Sequence, residues 1–162
     1  MRRSTEGENV ARTKPRTKAV DVAAYIMERR GSMTAMKLQK LLYYSQAWSL
    51  VWDERPLFSA QIEAWANGPV VPSIYALHRG AFKLPRDFFD EEGDPSVLTQ
   101  DQRDTVDAVL RHYGNKSSAW LSELTHREAP WKQARRGLRP GDRGAQTITH
   151  GAMAEYYGGL IR

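Results

Sequence analysis

Residues 32–52 read SMTAMKLQKLLYYSQAWSLVW, and the spacing of the large side chains in this stretch decides the fold class. Leu38, Leu41, Leu42, Ser45, Trp48 and Trp52 recur at three- and four-residue intervals, which places them on one face of an α-helix. Leu, Met, Gln, Lys and Ala lose little side-chain freedom in a helix. Ser32 or Thr34 can accept hydrogen bonds from the free N–H groups of its first turn. A stripe this wide and this aromatic needs cover on several sides, so the segment is expected to be the central, most buried helix, ended by Asp53-Glu54-Arg55-Pro56. Lys37 and Lys40 fall off the stripe and are expected to face solvent or a partner.

Working outward, AVDVAAYIMERR at 19–30 carries a second helical stripe, Val20, Ala23, Ala24 and Met27, with Gly31 as a natural stop. C-terminal to the central segment the period changes. Ile62, Ala64 and Ala66 alternate with Glu63 and Trp65 before the Asn67-Gly68-Pro69 turn, which predicts one small extended or β element near residues 57–71. Pro72 suits the first turn of a helix that stops at Gly80, and residues 81–98, with Pro85, Gly93, Pro95 and the acidic DEEGD, read as a loop. Thr99 and Gln102 form a capping-box pattern ahead of Val106, Val109, Leu110 and Tyr113. Ser117 or Ser118 opens a further helix with Trp120, Leu121 and Leu124, and Pro130 starts a short helical turn. Residues 137–146 read as loop, and Thr147 or Thr149 caps a last helix through Met153, Tyr156, Tyr157 and Leu160. The prediction is a mainly α protein: a single compact helical domain of about six helices over residues 19–162, without internal repeats.

The chain has 162 residues, 41% hydrophobic and 27% charged, a composition that supports one packed core. It has no cysteine, which excludes disulfides, zinc–thiolate sites and a cysteine nucleophile. No apolar stretch reaches a membrane span or a secretory h-region, so a cytoplasmic location is expected. The formal net charge is +5, and residues 1–18, with six basic and two acidic side chains, supply +4 of it. Past Met1 this tail has one large apolar residue, Val10. It reads either as a disordered leader or as a basic arm for nucleic acid or an acidic partner.

The search for chemistry is short. His78, His112, His126 and His150 are scattered, with no HExxH and no pair at metal-ligand spacing. Asp101, Asp104 and Asp107 suit the first turns of a helix as a solvated face, and the Asp90–Asp94 loop lacks calcium-ligand spacing. There is no G-x-S-x-G, Walker loop or G-x-G-x-x-G. No catalytic residue, metal or cofactor is expected. What remains is aromatic: five Trp and seven Tyr. Core packing accounts for most of them, and exposed binding anchors are the alternative. Trp65, beside the proline-restrained turn, is the best anchor candidate.

Three runs, MKLQKLLYYSQAW at 36–48, IEAWANGPVVPSIY at 62–75 and LSELTHREAPW at 121–131, resemble the SocA-like antitoxin family, also called the Panacea domain. The resemblance covers roughly residues 19–160 and leaves the basic tail outside. It implies a mostly helical, non-enzymatic domain of bacterial or phage toxin–antitoxin pairs, with a role in phage defence. Members neutralise a cognate protein toxin by direct binding, and delivery of the toxin to a protease-unfoldase is another mode associated with the family. Candidate partner-binding positions are Lys37, Lys40, Tyr44, Trp65, Gly68, Pro69, Val70, Tyr75 and Trp131, although the motif residues among them can equally be scaffold. Specificity for one toxin is expected in the 81–98 loop, the 137–146 loop or the tail. A transcriptional regulator that binds nucleic acid through the tail is the alternative.

Overall fold

A helix from Ala35 to Trp52 runs through the middle of the molecule, as its stripe predicts. The computed structural model describes residues 16–161. Among them are seven α-helices: α1 Ala19–Arg30, α2 Ala35–Trp52, α3 Pro72–His78, α4 Gln100–Tyr113, α5 Ser118–Arg127, α6 Ala129–Ala134 and α7 His150–Leu160. Four short strands make two antiparallel pairs: β1 (Met33–Thr34) with β4 (Lys83–Leu84), and β2 (Glu63–Trp65) with β3 (Gly68–Val70). The protein is therefore mainly α, with one helix more than expected. The predicted extended element near 57–71 is the β2–β3 hairpin. The β1–β4 pair was not anticipated, because two-residue strands carry no readable alternation.

The helices begin where the sequence places caps. Thr34, Thr99, Ser117 and Thr149 each accept a hydrogen bond from the first turn of α2, α4, α5 and α7, and Thr99 with Gln102 completes a capping box. Pro72 and Pro130 occupy the first turns of α3 and α6, where no N–H is missed. Gly31 ends α1 at φ 83°, a conformation that favours glycine.

α2 packs against α1, α4, α5, α7 and β3. Leu38, Leu41 and Leu42 are fully buried, each worth about 1.5–3 kcal/mol of transfer free energy. Burial goes further round the helix than the stripe: Gln39, Lys40, Tyr43, Tyr44 and Gln46 are buried as well. Their polar atoms are used. The Gln46 Oε1 accepts from the Leu57 and Phe58 N–H groups at 2.7 and 3.2 Å, and its Nε2 donates to the Phe58 carbonyl at 2.8 Å. One side chain thus satisfies a buried stretch of loop backbone that has no strand partner.

An aromatic cluster ties α2 to α4 and α7. Tyr44 stacks on Tyr113 at 4.1 Å, and Trp48 donates to the Tyr113 hydroxyl at 3.0 Å. Tyr44 and Tyr157 both donate to Glu128 Oε1, at 2.7 and 2.6 Å. The Tyr43 and Tyr157 hydroxyls lie 3.0 Å apart, and since Tyr157 gives its proton to Glu128, Tyr43 is the donor between them. Glu128 is buried with no ion pair among the described residues, and burial pushes its carboxyl pKa up against the lowering effect of the two phenols and of the nearby Arg127 charge.

Three expectations need correction. Trp52 ends the stripe but is 46% exposed: it is the last residue of α2, and its ring stacks on Trp48 at 4.9 Å. Trp120 is also exposed, on the outer side of α5, with the Lys116 ammonium 4.8 Å from its ring centre. The third concerns the end of the tail. Thr17 is buried and donates to Gln102 Oε1 at 2.9 Å, and the Lys18 N–H donates to Asp21 at 2.9 Å, so these two residues belong to the fold. The rest of the predicted tail, residues 1–15, lies outside the described residues.

Candidate functional site

The β2–β3 hairpin is held from every direction. β2 pairs with β3 on one side: Glu63 opposite Val70, Ala64 opposite Pro69, Trp65 opposite Gly68. On its other side β2 meets residues 146–148: the Ala64 N–H donates to the Gln146 carbonyl at 2.9 Å, and the Ile148 N–H donates to the Ile62 carbonyl at 2.8 Å. The outer edge of β3 faces α2, whose side chains replace a further strand. Lys40 Nζ donates to the Pro69 carbonyl at 3.2 Å. The Gln39 amide accepts from the Val71 N–H at 2.8 Å and donates to the Val71 carbonyl at 3.4 Å. From α5, Ser122 donates to the Asn67 carbonyl at 2.8 Å. From α6, Trp131 donates through Nε1 to the Trp65 carbonyl at 2.8 Å.

Two aromatic residues present themselves on this support. Trp65 is half-buried, its indole N–H donates to Glu63 Oε1 at 2.9 Å, and its ring meets Tyr75 edge-on at 4.9 Å. Tyr75 projects from α3, 37% exposed. Between them and α2 opens a cleft of about 530 Å³. Met36, Ala66, Val70 and Ala145 give it apolar walls; the buried Gln39 and His78 form its floor; Glu63, Asn67 and Arg143 stand at the rim. The floor is already satisfied. Gln39 Nε2 donates to His78 Nε2 at 3.0 Å, so His78 is the acceptor and its proton sits on Nδ1. Burial also pulls the His78 pKa down, which keeps the ring neutral. The cleft therefore offers aromatic and aliphatic walls over a polar floor whose groups are already paired, with further polar groups at its rim, the usual composition of a binding pocket.

Arg135 fixes the far wall. It is buried, and it donates to the carbonyls of Ala64 at 2.9 Å, Asp142 at 2.6 Å and Arg139 at 3.2 Å. Its guanidinium lies 5.3 Å from the centre of the Trp131 ring, on whose plane His126 stacks at 4.1 Å. The 139–145 loop is thereby tied to β2, which brings Arg143 and Ala145 to the cleft.

The predicted site residues separate into groups. Trp65, Val70 and Tyr75 line the cleft. Trp131 stands behind it, bonded to the Trp65 backbone. Gly68 and Pro69 are buried at the start of β3, where Gly68 adopts φ 124° and a Cβ would lie 2.5 Å from Lys40 Cε. Tyr44 is remote, in the Glu128 network. Lys37 is half-buried on the first turn of α2, and desolvation, then the Arg30 charge, lower its pKa. Lys40 is the clear correction: it has no exposed surface and faces neither solvent nor a partner. The hairpin backbone covers it, and burial alone pulls its pKa down to about 7. Gln39, Glu63, His78, Arg135 and Arg143 were not foreseen. Glu63 could have been, since its alternation with Trp65 puts it on the same strand face.

Among the described residues no group of three or more His, Cys, Asp or Glu side chains is placed to hold a metal ion. No helix there is long and apolar enough to cross a membrane.

The hairpin and its supports from α2, α5 and Trp131 fall inside a family match, while Arg135 and residues 146–148 lie beyond it: the model of the Antitoxin SocA-like, Panacea domain covers residues 38–132. The chain belongs to the SocA-like antitoxin family. The Panacea match takes in most of α2, the hairpin, α3 to α5 and the first half of α6, and stops before Arg143 and α7. Among curated proteins the chain is similar to Antitoxin SocA of Caulobacter vibrioides, 29% identical over 108 residues, which cover 59% of this chain and 56% of that protein. The chain thus spans about half the length of this relative. No solved structure matches it.

Proposed function

We propose that this chain is the antitoxin of a toxin–antitoxin pair and neutralises a co-encoded protein toxin by direct, non-enzymatic binding at the hairpin cleft. The cleft walled by Trp65 and Tyr75 is the observation that supports the site. Both rings are anchored before any partner arrives, so little side-chain freedom is lost on binding. Trp and Tyr in a pocket that water leaves are the side chains that most often dominate binding energy. The mode follows from the backbone. β2 is paired on both sides, and the Pro69 carbonyl and both polar groups of Val71 are taken by Lys40 and Gln39. Partner strand addition has no free edge here. The toxin instead inserts an apolar side chain into the cleft that Trp65 and Tyr75 wall on one side.

The test is co-expression with the neighbouring gene under a separate inducible promoter, scored by growth and by pull-down. Growth arrest by the neighbour, relieved by this chain with co-purification, is the expected result. Trp65→Ala should weaken binding by roughly thirtyfold or more, the size of a hot-spot truncation. Tyr75→Ala, at an exposed position, guards against misfolding as the cause. A harmless neighbour, or toxicity without rescue, sinks the antitoxin reading. Wild-type affinity in the Trp65→Ala/Tyr75→Ala double variant sinks the cleft as its seat.

A further inference from the structure

α6 also borders a second groove, of about 440 Å³, formed with the end of α5 and with α7. Arg127, Lys132 and Arg136 line it, above Ala129 and Tyr156, with Gln133 at its side. All three cations are exposed, and no acidic side chain lines the groove. The stretch 127–143 holds six basic and two acidic residues. Both acids are spent elsewhere: Glu128 points into the core, where Tyr44 and Tyr157 donate to it, and Asp142 accepts from the Arg139 N–H at 2.9 Å and faces its guanidinium at 3.8 Å. Arg135 is spent on backbone carbonyls. Among the described residues, none of Arg127, Lys132 and Arg136 has an ion-pair partner.

We infer that this groove docks an acidic segment of the partner protein. Three like charges around one depression repel one another, and a carboxylate placed among them is attracted by all three at once. Such a network is worth more than an isolated surface pair. Ala129 and the half-buried Tyr156 give it an apolar base that excludes water and strengthens those attractions. The charge is local. The described residues carry 19 basic and 17 acidic side chains, so the fold lacks the broad positive field that gathers a long polyanion. A short acidic peptide fits this pattern better than nucleic acid. The groove also continues the proposed interface: α6 supplies Lys132 and Arg136 here and Trp131 behind the cleft. The inference rests on the antitoxin reading for the partner being a toxin, but the groove's preference for acidic peptide can be measured without one.

The experiment uses the full chain and its Arg127→Ala/Lys132→Ala/Arg136→Ala variant, with circular dichroism as the folding control. A labelled ten-residue glutamate peptide and a labelled ten-residue thymidine oligonucleotide are titrated by fluorescence anisotropy at about 50 mM and about 300 mM salt. Both proteins carry the same basic residues 1–18, so their difference reports the groove. The expected result is about a tenfold loss of peptide affinity in the variant at low salt, from three modest pair energies, with the gap closing at high salt. Equal peptide affinity in the two proteins overturns the proposal. A larger loss for the oligonucleotide than for the peptide also overturns it, in favour of a nucleic-acid surface. Groove-dependent peptide binding by a chain that ignores its neighbouring gene product would keep the groove and sink the antitoxin reading.

Discussion

Lys40→Met should make the protein more stable at neutral pH and change how its stability depends on pH. The Lys40 ammonium has no exposed surface, one hydrogen bond, 3.2 Å to the Pro69 carbonyl, and no carboxylate partner among the described residues. The titratable groups that feel its charge are His78 and His126, both held down chiefly by their own burial. Burial lowers the Lys40 pKa from 10.5 to about 7. Between those values the unfolded chain holds a proton that the folded chain releases. Stability therefore rises with pH across this window, at up to about 1.4 kcal/mol per unit. From pH 7 to pH 9 the gain is about 2 kcal/mol, and at pH 6.5 the full cost of the charge is about 4–5 kcal/mol. Methionine keeps an unbranched stem of similar reach and removes the charge, leaving the Pro69 carbonyl without its donor at about 1–3 kcal/mol. The variant should lead the wild type by roughly 2 kcal/mol at pH 6.5 and lose most of that lead by pH 9. Urea unfolding followed by tryptophan fluorescence at several pH values measures this directly. The quantity read is the difference between the two proteins, in which every titration cancels except those of His78 and His126, the two groups that feel the Lys40 charge. Stability curves that stay parallel from pH 6.5 to pH 9 would refute the reasoning, because a Lys40 with an ordinary pKa contributes no slope there.

Gly68→Ala combines a φ of 124° with a Cβ 2.5 Å from Lys40 Cε and 3.2 Å from Thr125 Oγ1; it should cost at least about 2 kcal/mol in urea unfolding, and adding Lys40→Ala should recover only the steric part. Glu128→Ala removes the shared acceptor of two buried phenols and should cost about 2 kcal/mol or more, lowering the melting temperature by roughly 4–8 °C. The same variant should abolish a decline in wild-type stability above the ordinary carboxylate range, since a carboxyl held up by burial keeps its proton longer in the folded chain than in the unfolded one. Glu54, exposed at φ 57°, is strained as a non-glycine residue, and Glu54→Gly should raise stability by about 0.5 kcal/mol in thermal melts.

What could be read from the sequence was whatever rests on local chemistry. Thr34, Thr99, Ser117 and Thr149 cap helices because a hydroxyl can reach the next turn whatever surrounds it. Pro72 and Gly31 mark ends for equally local reasons. The hairpin was legible from the alternation around Trp65 and the Asn67-Gly68-Pro69 turn. The failures share a different cause. Periodicity locates the face of α2 that packs on other helices, and it assigned Lys40 to the outside because its position falls off that stripe. It has no means of showing that a strand edge will cover that position. Trp52 carries the opposite error: it sits at stripe spacing, yet it is exposed at the end of α2. Glu63 and Arg143 meet at one cleft because Arg135 ties the 139–142 backbone to β2 and residues 146–148 pair with it, connections between residues far apart in sequence.

The polar residues of α2 carry a consequence for the cleft. Gln39, Lys40 and Gln46 are buried, and each spends its side chain on the backbone of the segment that follows the helix. A leucine in those positions would pack as well and leave the Val71, Pro69 or Leu57 and Phe58 backbone groups unpaired, at about 1–3 kcal/mol each. The fold thus uses its central helix as a template for irregular chain. That is why a two-strand hairpin, marginal by itself in water, can stand rigid at the surface. The same bonds close the hairpin's edges to any incoming strand. Rigidity and edge closure have one origin, so a variant that frees β3, such as Gln39→Leu, should loosen Trp65 and expose an edge together. Hydrogen exchange at the Val71 amide and a partner's affinity for the cleft would then change in step, whereas a cleft organised by its aromatic contacts alone would keep its affinity while the amide exchanged faster.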